Sequence, residues 1–172
     1  MSDQYFKPSV TADVLALRLD HGPELLLIQR GRDPFAGFWA LPGGFIEENE
    51  TLLASARREL QEETGLILDE LSFFGVYGDP GRDPRGRTIT AAYWALLAPG
   101  SETGVAGLDD ASDARWFPIQ QLPELAFDHA RIIHDGLYDL HCQLTNRYPG
   151  SRRLPEGFDS VHIHQLESWL NR

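Results

Sequence analysis

The sequence contains a single cysteine, Cys142, so an internal disulfide cannot form. Absence of disulfides is typical of a reducing compartment, and we expect a cytoplasmic protein. The first ten residues contain no apolar run of signal-peptide length. No stretch approaches the roughly 18 consecutive apolar residues that a membrane helix needs, so we predict no membrane partner.

Basic residues are also scarce. Lys and Arg together number 15 against 26 Asp and Glu, which gives a formal net charge of -11. This excess of negative charge disfavours nonspecific binding to nucleic acids and to anionic membranes. It is compatible with a protein that binds metal cations, whereas an anionic substrate would need a local basic patch. The length of 172 residues suits one domain.

Apolar periodicity predicts a mixture of strands and helices. Strands are predicted over 10–19, 24–30, 38–44, 71–78, 88–98 and 113–119, and helices over 51–64, 129–144 and 160–171. The first strand alternates apolar and polar residues and should form a hairpin with the second. The strand at 88–98 is apolar on both faces and should be central, and Gly65 should cap the first helix. Because no steady βαβ rhythm is present, the class is α+β, or mixed α/β.

Three acidic residues share one side of the first predicted helix. Successive helical residues rotate by roughly 100°, so Glu59, Glu62 and Glu63 span an arc of roughly 100°. On the same scale Glu63 projects between the apolar residues Leu52 and Ala56. We therefore expect Glu63 to lie at the edge of the buried face of the helix.

This placement differs from that of an ordinary solvated face, which would put the acids opposite the apolar stripe. The opposite side instead carries Ala54, Arg57 and Gln61. Carboxylates beside the core and beside each other raise repulsion and desolvation costs. A hard divalent cation relieves both, and carboxylate oxygens are the ligands that Mg²⁺ or Mn²⁺ prefers. From the pattern alone, a metal site and a structural ion-pair helix both stay open.

The segment around this helix resembles a complete Nudix box, with Gly44, five residues, Glu50, seven residues and then the run RELQEETGL. The resemblance implies the Nudix fold, a mixed β-sheet sandwiched between α-helices. It implies a single domain over 1–172, with a core at about 8–145 and a C-terminal extension at 146–172. The activity implied is hydrolysis of a nucleoside diphosphate linked to another group.

Position by position, the resemblance assigns roles within the box. The implied ligands of Mg²⁺ or Mn²⁺ are the backbone carbonyl of Gly43 and the carboxylates of Glu59, Glu62 and Glu63. Arg58 and Glu50 match a pair that supports the loop against the helix.

Hydrolysis also needs a base that takes a proton from the attacking water. In similar enzymes this carboxylate comes from the box helix or from a mobile loop across the site, which leaves Glu59, Glu102, Asp109 and Asp110 as candidates. We favour Asp110, because related hydrolases carry an acid some residues before the Trp matched by Trp116. The alternative is that Asp109 and Asp110 are ordinary loop acids.

An arginine-rich loop, GRDPRGR, predicts phosphate binding through Arg82, Arg85 and Arg87. Arginines on a loop rich in glycine and proline suit a bidentate grip on phosphate. This loop and the later LAFDHARII resemble segments of ADP-ribose pyrophosphatases and of Nudix-type regulators of NAD metabolism. The resemblance implies ADP-ribose, cleaved to AMP and ribose 5-phosphate, and we add Asp83 and Arg32 to the predicted substrate contacts.

The adenine of such a substrate needs a flat apolar partner. The candidates are Phe35, Phe38, Trp39 and Tyr77, with Arg30 and Arg32 close in sequence. We assign Phe38 to the substrate site, although aromatics of this kind more often belong to core or loop packing than to a site that binds a base. His129 and His134, on the helix at 129–144, are expected to be surface residues or satisfied core residues.

Two other functions remain open. One is a Nudix hydrolase of an oxidised deoxynucleotide, NADH or a dinucleoside polyphosphate. The other is a non-catalytic regulator of NAD metabolism that senses ADP-ribose. Such regulators usually carry a winged-helix domain after the Nudix part, and the residues after 146 are too few for one, so we predict no nucleic-acid partner. Similar enzymes are often homodimers, which the first strands or the helix at 129–144 could form.

Overall fold

The computed structural model describes residues 5–19, 22–98, 100–101, 104–145, 164 and 167–168. Its strands are β1 (Ser9–Arg18), β2 (Glu24–Arg30), β3 (Trp39–Ala40), β4 (Gly43–Phe45), β5 (Ser72–Tyr77), β6 (Thr88–Leu96) and β7 (Ala111–Pro118). The α-helices are α1 (Leu52–Thr64) and α2 (His129–Leu144), and Ile119–Gln121 forms a 3₁₀ turn. None of the helices in this described part is both long and apolar enough to cross a membrane.

One mixed sheet contains all seven strands. β1 runs parallel to β6, and β5 pairs antiparallel with the other edge of β6. The predicted central position of the strand near 88–98 is therefore confirmed. β2 pairs antiparallel with β7 along its length. The antiparallel hairpin of β1 and β2 is also confirmed, through Leu17 opposite Leu25 and Arg18 opposite Glu24.

The sheet divides where β1 and β2 separate. Beyond Leu17 and Leu25, the next partner of β1 is β4, and the next partner of β2 is β3. β3 and β4 are consecutive, so residues 39–45 cross from one half of the sheet to the other. Backbone from both halves therefore faces the gap between β1 and β2, and the site described below lies there.

Both faces of β1 are buried, which the predicted alternation of apolar and polar residues did not anticipate. Leu15, Leu17 and Leu19 belong to the core under α2. The intervening side chains Ala12, Val14 and Ala16 belong to the core under α1. A strand covered by a helix on each face needs apolar residues on both, and the predicted sheet between helices is confirmed.

α1 ends where its sequence predicts and begins at Leu52, one residue after the predicted start. The Thr51 side chain accepts a hydrogen bond from the Ala54 N–H at 3.1 Å, an ordinary N-cap. Gly65 has a φ of 75° and donates its N–H to the Gln61 carbonyl at 2.8 Å. Leu52 was expected on the buried face, but it is 38% exposed because the helix is buried only from Ser55 onward.

The segment before β7 packs on the end of α1, where the Ala106 and Leu108 N–H groups donate to the Thr64 and Glu63 carbonyls. β7 begins at Ala111, two residues earlier than predicted. Most of the helix predicted at 160–171 lies outside the described residues. In its described part, Glu167 contacts the buried His141 at 3.1 Å.

We predict that Leu15→Ala destabilises the fold by about 2–5 kcal/mol, the usual effect of a cavity in a packed core. Leu15 is fully buried on β1. Urea unfolding would measure the change in the free energy of unfolding. Ile67→Ala is the control, because Ile67 is 67% exposed and should change stability by less than about 0.5 kcal/mol. Equal effects of the two substitutions would contradict the assigned core.

Candidate active site

A cavity of about 520 Å³ opens where the two halves of the sheet separate. This volume is within the range of small-molecule sites. Acidic and basic side chains share its wall. The acids from α1 are Glu59, Glu62 and Glu63, and the arginines that join them are Arg30, Arg32, Arg58, Arg82 and Arg85. The cavity can therefore contact cations and anions at once.

Arg58 connects the acids of α1 to the loop before it. Its guanidinium donates to both carboxylate oxygens of Glu50 at 2.9 Å, to Glu59 at 2.8 Å and to Glu62 at 2.9 Å. It also donates to the Phe45 carbonyl at 3.0 Å. The hydrogen bond from Arg58 lowers the pKa of Glu50, and the same contacts raise the pKa of Arg58. Through these contacts Arg58 joins Glu50 and Phe45, which precede α1, to the helix, and the supporting role of Arg58 and Glu50 stays a prediction.

Glu63 is the buried member of the acidic group. It is 7% exposed, and its Oε2 accepts the Gly43 N–H at 2.9 Å. Burial raises the pKa of Glu63 to about 8, the Gly43 N–H opposes the rise, and the carboxylates of Glu59 and Asp13 add to it. Burial is also the first cause of the raised pKa of Glu59. Such carboxylates bind a positive charge favourably.

Two glycines allow this close packing. A Cβ on Gly44 would lie 2.5 Å from the Glu59 carboxylate. A Cβ on Gly43 would lie 2.4 Å from the Ala12 carbonyl oxygen and from Asp13 Oδ1. The GG pair of the sequence therefore lets the backbone of β4 approach the acids of α1 and the floor of the cavity.

These acids fit a divalent cation by the chemistry of their donors. Among the described residues, no three acidic, His or Cys side chains already converge at the spacing of a metal site. Glu59 and Glu62 each give one oxygen to Arg58, and Glu63 gives one to the Gly43 N–H. The second oxygen of each carboxylate accepts no hydrogen bond from a described residue. Three hard oxygen donors on one helix face are a suitable set for Mg²⁺ or Mn²⁺.

A buried ion pair joins the two segments that suggested ADP-ribose. Arg82 donates to the two carboxylate oxygens of Asp128 at 2.6 and 2.9 Å, and its side chain is only 6% exposed. Asp128 is the N-cap residue of α2, yet its side chain makes no capping hydrogen bond. The carboxylate that would ordinarily cap the helix binds Arg82 instead, which fixes the arginine-rich loop to α2.

The neighbouring acid, Asp83, is also satisfied within the protein. It is 4% exposed and accepts hydrogen bonds from the Arg85 guanidinium at 2.8 and 3.0 Å and from Thr88 Oγ1 at 3.2 Å. Arg82 and Asp83 line the cavity, but their main contacts shape the loop, and their role as substrate contacts stays a prediction. Arg85 is half-exposed and is the more accessible cation of this group.

Asp110 and Arg32 face each other at the cavity rim. Arg32 Nη2 lies 2.9 Å from Asp110 Oδ1, and both side chains are exposed. The structure thus places the favoured base beside a predicted substrate contact. Glu102, another candidate base, lies outside the described residues.

Other predicted substrate contacts lie elsewhere. Phe38 and Arg87 are not in the cavity lining. Phe38 packs edge-to-face on Phe35, and Arg87 donates to the Gly78 carbonyl. Of the other aromatic candidates, Trp39 packs on Phe117, and the Tyr77 hydroxyl donates to Asp135.

Several residues of the cavity wall were not predicted from the sequence to belong to the site. Asp13 is a buried carboxylate that accepts a 2.6 Å hydrogen bond from Thr90, and a lone acid in an apolar strand was the available signal. His129 is buried, its Nδ1 accepts the Leu41 N–H at 2.9 Å, and burial lowers its pKa. It is therefore a satisfied core residue, one of the two predicted alternatives. Phe127 has no sequence signal.

Residues 7–136 match the model of the NUDIX domain family. The chain belongs to the Nudix hydrolase family. Among its relatives, the ADP-ribose pyrophosphatase of Methanocaldococcus jannaschii is 44% identical over 131 residues, which cover 76% of this chain and 74% of the relative. The ADPR responsive transcriptional repressor NtrR of Acinetobacter baylyi is 34% identical over 83% of this chain and 57% of the repressor.

Solved structures confirm the Nudix fold. The NUDIX domain of Shewanella oneidensis NrtR, complexed with ADP ribose, has a TM-score of 0.74 at 31% identity and covers 81% of this chain and 93% of that domain. A MutT/nudix family protein from Enterococcus faecalis has a TM-score of 0.75 at 30% identity. That match covers 81% of this chain and 64% of the other.

We predict that Arg82→Gln destabilises this Nudix domain by about 2–3 kcal/mol, because it leaves the Asp128 carboxylate without its charged partner. Removing one partner of a fully buried ion pair costs roughly 3–5 kcal/mol. We expect a smaller loss here, because the Asp128 side chain is 20% exposed. Urea unfolding would measure the effect. Arg131→Gln is the matched control, because the Arg131–Asp79 pair is exposed on both sides and should change stability little. Equal losses would contradict a structural role for the Arg82–Asp128 pair.

Proposed function

We propose that this Nudix hydrolase cleaves the diphosphate of ADP-ribose to AMP and ribose 5-phosphate, with Mg²⁺ or Mn²⁺ as cofactor. The observation that carries the proposal is the composition of the cavity, which combines three carboxylates of the box helix with several arginines. A diphosphate resists hydrolysis because its own negative charge repels a nucleophile. A site for this reaction therefore needs groups that hold a cation and groups that bind phosphate.

The carboxylates of Glu59, Glu62 and Glu63, with the Gly43 carbonyl, would hold the divalent cation. When bound, such a cation supplies charge that neutralises the diphosphate oxygens and makes water more acidic. The Arg58 contacts keep Glu59 and Glu62 on one side of α1. Glu63 stays buried beside the Gly43 backbone, which keeps the donors close together.

Asp110 is the proposed general base. It accepts a proton as the water oxygen bonds to one phosphorus, and the bond from that phosphorus to the bridging oxygen breaks. The bridging oxygen leaves as part of the other phosphate. The ion pair with Arg32 holds the Asp110 carboxylate at the rim of the cavity, and Arg85 and Arg30 would bind the diphosphate oxygens of the substrate.

The choice of ADP-ribose rests on relatives of two kinds. One is named as an ADP-ribose pyrophosphatase, and one solved NUDIX domain holds ADP ribose. The Arg82–Asp128 pair supports the same choice, because it joins the two segments that resemble ADP-ribose pyrophosphatases. Oxidised deoxynucleotides, NADH and dinucleoside polyphosphates are the competing substrates in a turnover screen.

A second candidate function is an ADP-ribose sensor that does not hydrolyse its ligand. The similarity to the Acinetobacter repressor over 83% of this chain favours it. Binding without turnover, in the presence of Mg²⁺ or Mn²⁺, would distinguish a sensor from the enzyme. A homodimer and a cytoplasmic location stay predictions.

We predict that Glu62→Gln lowers kcat for ADP-ribose by more than about 100-fold, beyond the usual effect of losing an outer-shell partner of a metal. Steady-state release of AMP with Mg²⁺ would measure it. Glu70→Gln is the control, because Glu70 is exposed and lies outside the cavity lining. A Glu62→Gln enzyme as active as the wild type would refute the metal assignment.

We predict that Asp110→Asn lowers kcat by about 10²–10⁴-fold, the contribution typical of a general base, and changes KM much less. Asp69→Asn, in an exposed loop, should leave both parameters unchanged. A normal kcat for Asp110→Asn would transfer the role of base to another carboxylate, with Glu59 the next to test.

A further inference from the structure

Backbone strain is concentrated beside the cavity. Within the described part of the chain, the non-glycine residues with positive φ are Phe35 at 65°, Asp109 at 48° and Phe127 at 52°. Asp109 and Phe127 line the cavity, and the Phe35 ring packs on the Phe127 ring at 4.8 Å. A bulky side chain in the left-handed region is unfavourable, and such strain persists where the surrounding structure enforces it. The left-handed backbone at Phe127 therefore lies in the wall of the cavity.

Two arginines lie over the ring of Phe127. The guanidinium carbon of Arg30 is 4.8 Å from the ring centroid, and that of Arg85 is 5.3 Å from it. Arg85 also lies 5.1 Å from the centroid of Phe45. The negative face of an aromatic ring attracts a guanidinium at these distances. The Phe127 ring therefore lies against two like charges in one cavity wall, and one of them, Arg85, also pairs with Asp83 at 2.8 Å.

Arg30 adds a positive charge to this wall, and no described carboxylate forms an ion pair with it. Its hydrogen bonds go to the carbonyls of Pro34 at 2.9 Å and Arg32 at 3.4 Å. Burial, and then the Arg85 guanidinium, lowers the pKa of Arg30. A bound anion with several oxygens would relieve the repulsion between the two arginines.

We propose that Phe127 is a positioning residue whose ring sets the guanidiniums of Arg30 and Arg85 for binding of the substrate diphosphate. The left-handed backbone at Phe127 directs the ring into the cavity, where the two arginines lie against it. The identity of the ligand rests on the proposed function. Because Phe127 acts through the arginines, its loss should weaken binding of the diphosphate more than it slows the chemical step.

The test compares Phe127→Leu with Phe127→Tyr. Leu keeps an apolar side chain but removes the aromatic face, so we expect KM for ADP-ribose to rise about tenfold and kcat to change less than about threefold. Tyr keeps the ring and should stay within about threefold of the wild type in both parameters. Titration calorimetry without metal would measure the binding of ADP-ribose and of ADP to each variant. We expect Phe127→Leu to bind both ligands more weakly than the wild type and Phe127→Tyr to bind them about as tightly.

Phe73→Leu is the control, because Phe73 is 55% exposed on β5 and outside the cavity. Thermal unfolding would verify that each variant is folded. If Phe127→Leu does not fold, Phe127→Met keeps more of the side-chain volume and should give the same rise in KM.

The outcomes separate this inference from the proposed function. Wild-type turnover of ADP-ribose with unchanged binding by Phe127→Leu would overturn the inference alone. Wild-type binding without turnover, with weaker binding by Phe127→Leu, would overturn the proposed hydrolysis and support the role of Phe127. A wild-type protein that binds neither ADP-ribose nor ADP would overturn both.

Discussion

The arrangement of the acidic side chains on α1 depends on the hydrogen bonds that the Arg58 guanidinium donates to them. Three carboxylates and a backbone carbonyl accept its hydrogen bonds. These bonds offset the repulsion between Glu59 and Glu62 and tie the loop before α1 to the helix. Glu63 receives no such cation and stays buried against the Gly43 N–H. One arginine thus stabilises most of the acidic group and leaves a single buried carboxylate facing the cavity.

Elsewhere in the cavity, too, some charged side chains form ion pairs within the protein and others do not. Arg82 and Asp83 are each satisfied by a neighbour within the protein. Glu63 and Arg30 form no ion pair with a described residue, although Arg30 is near enough to lower the pKa of Glu63. Paired charges fix the loops, whereas unpaired charges can bind a ligand. A diphosphate with its divalent cation would supply the opposite charge for both Glu63 and Arg30.

Sequence periodicity predicted the features that depend on neighbours along the chain. The C-terminal end of α1, its Gly65 cap and the position of Glu63 at the edge of the buried face all follow from helical rotation and local hydrogen bonding. The partners of Arg82 and Phe127 do not, because they depend on contacts across the fold. Arg82 meets Asp128 from 46 residues away, and Phe127 contacts Arg30 and Arg85, which lie in distant segments of the chain. Arg82, which the sequence predicts to bind phosphate, is consequently paired with an acid inside the protein.

The arginines proposed to bind the substrate and the acids proposed to hold the cation lie on separate elements of this fold. Arg30 ends β2, Arg85 follows β5, and Phe127 precedes α2, whereas the three carboxylates lie together on α1. The relatives of this chain are named as a pyrophosphatase and as an ADPR responsive repressor, so similar sequences carry both functions. Burial of Glu63 is unfavourable for stability unless its charge is offset. Because this chain keeps that buried acid and the Arg58 contacts around it, hydrolysis explains the arrangement better than sensing alone.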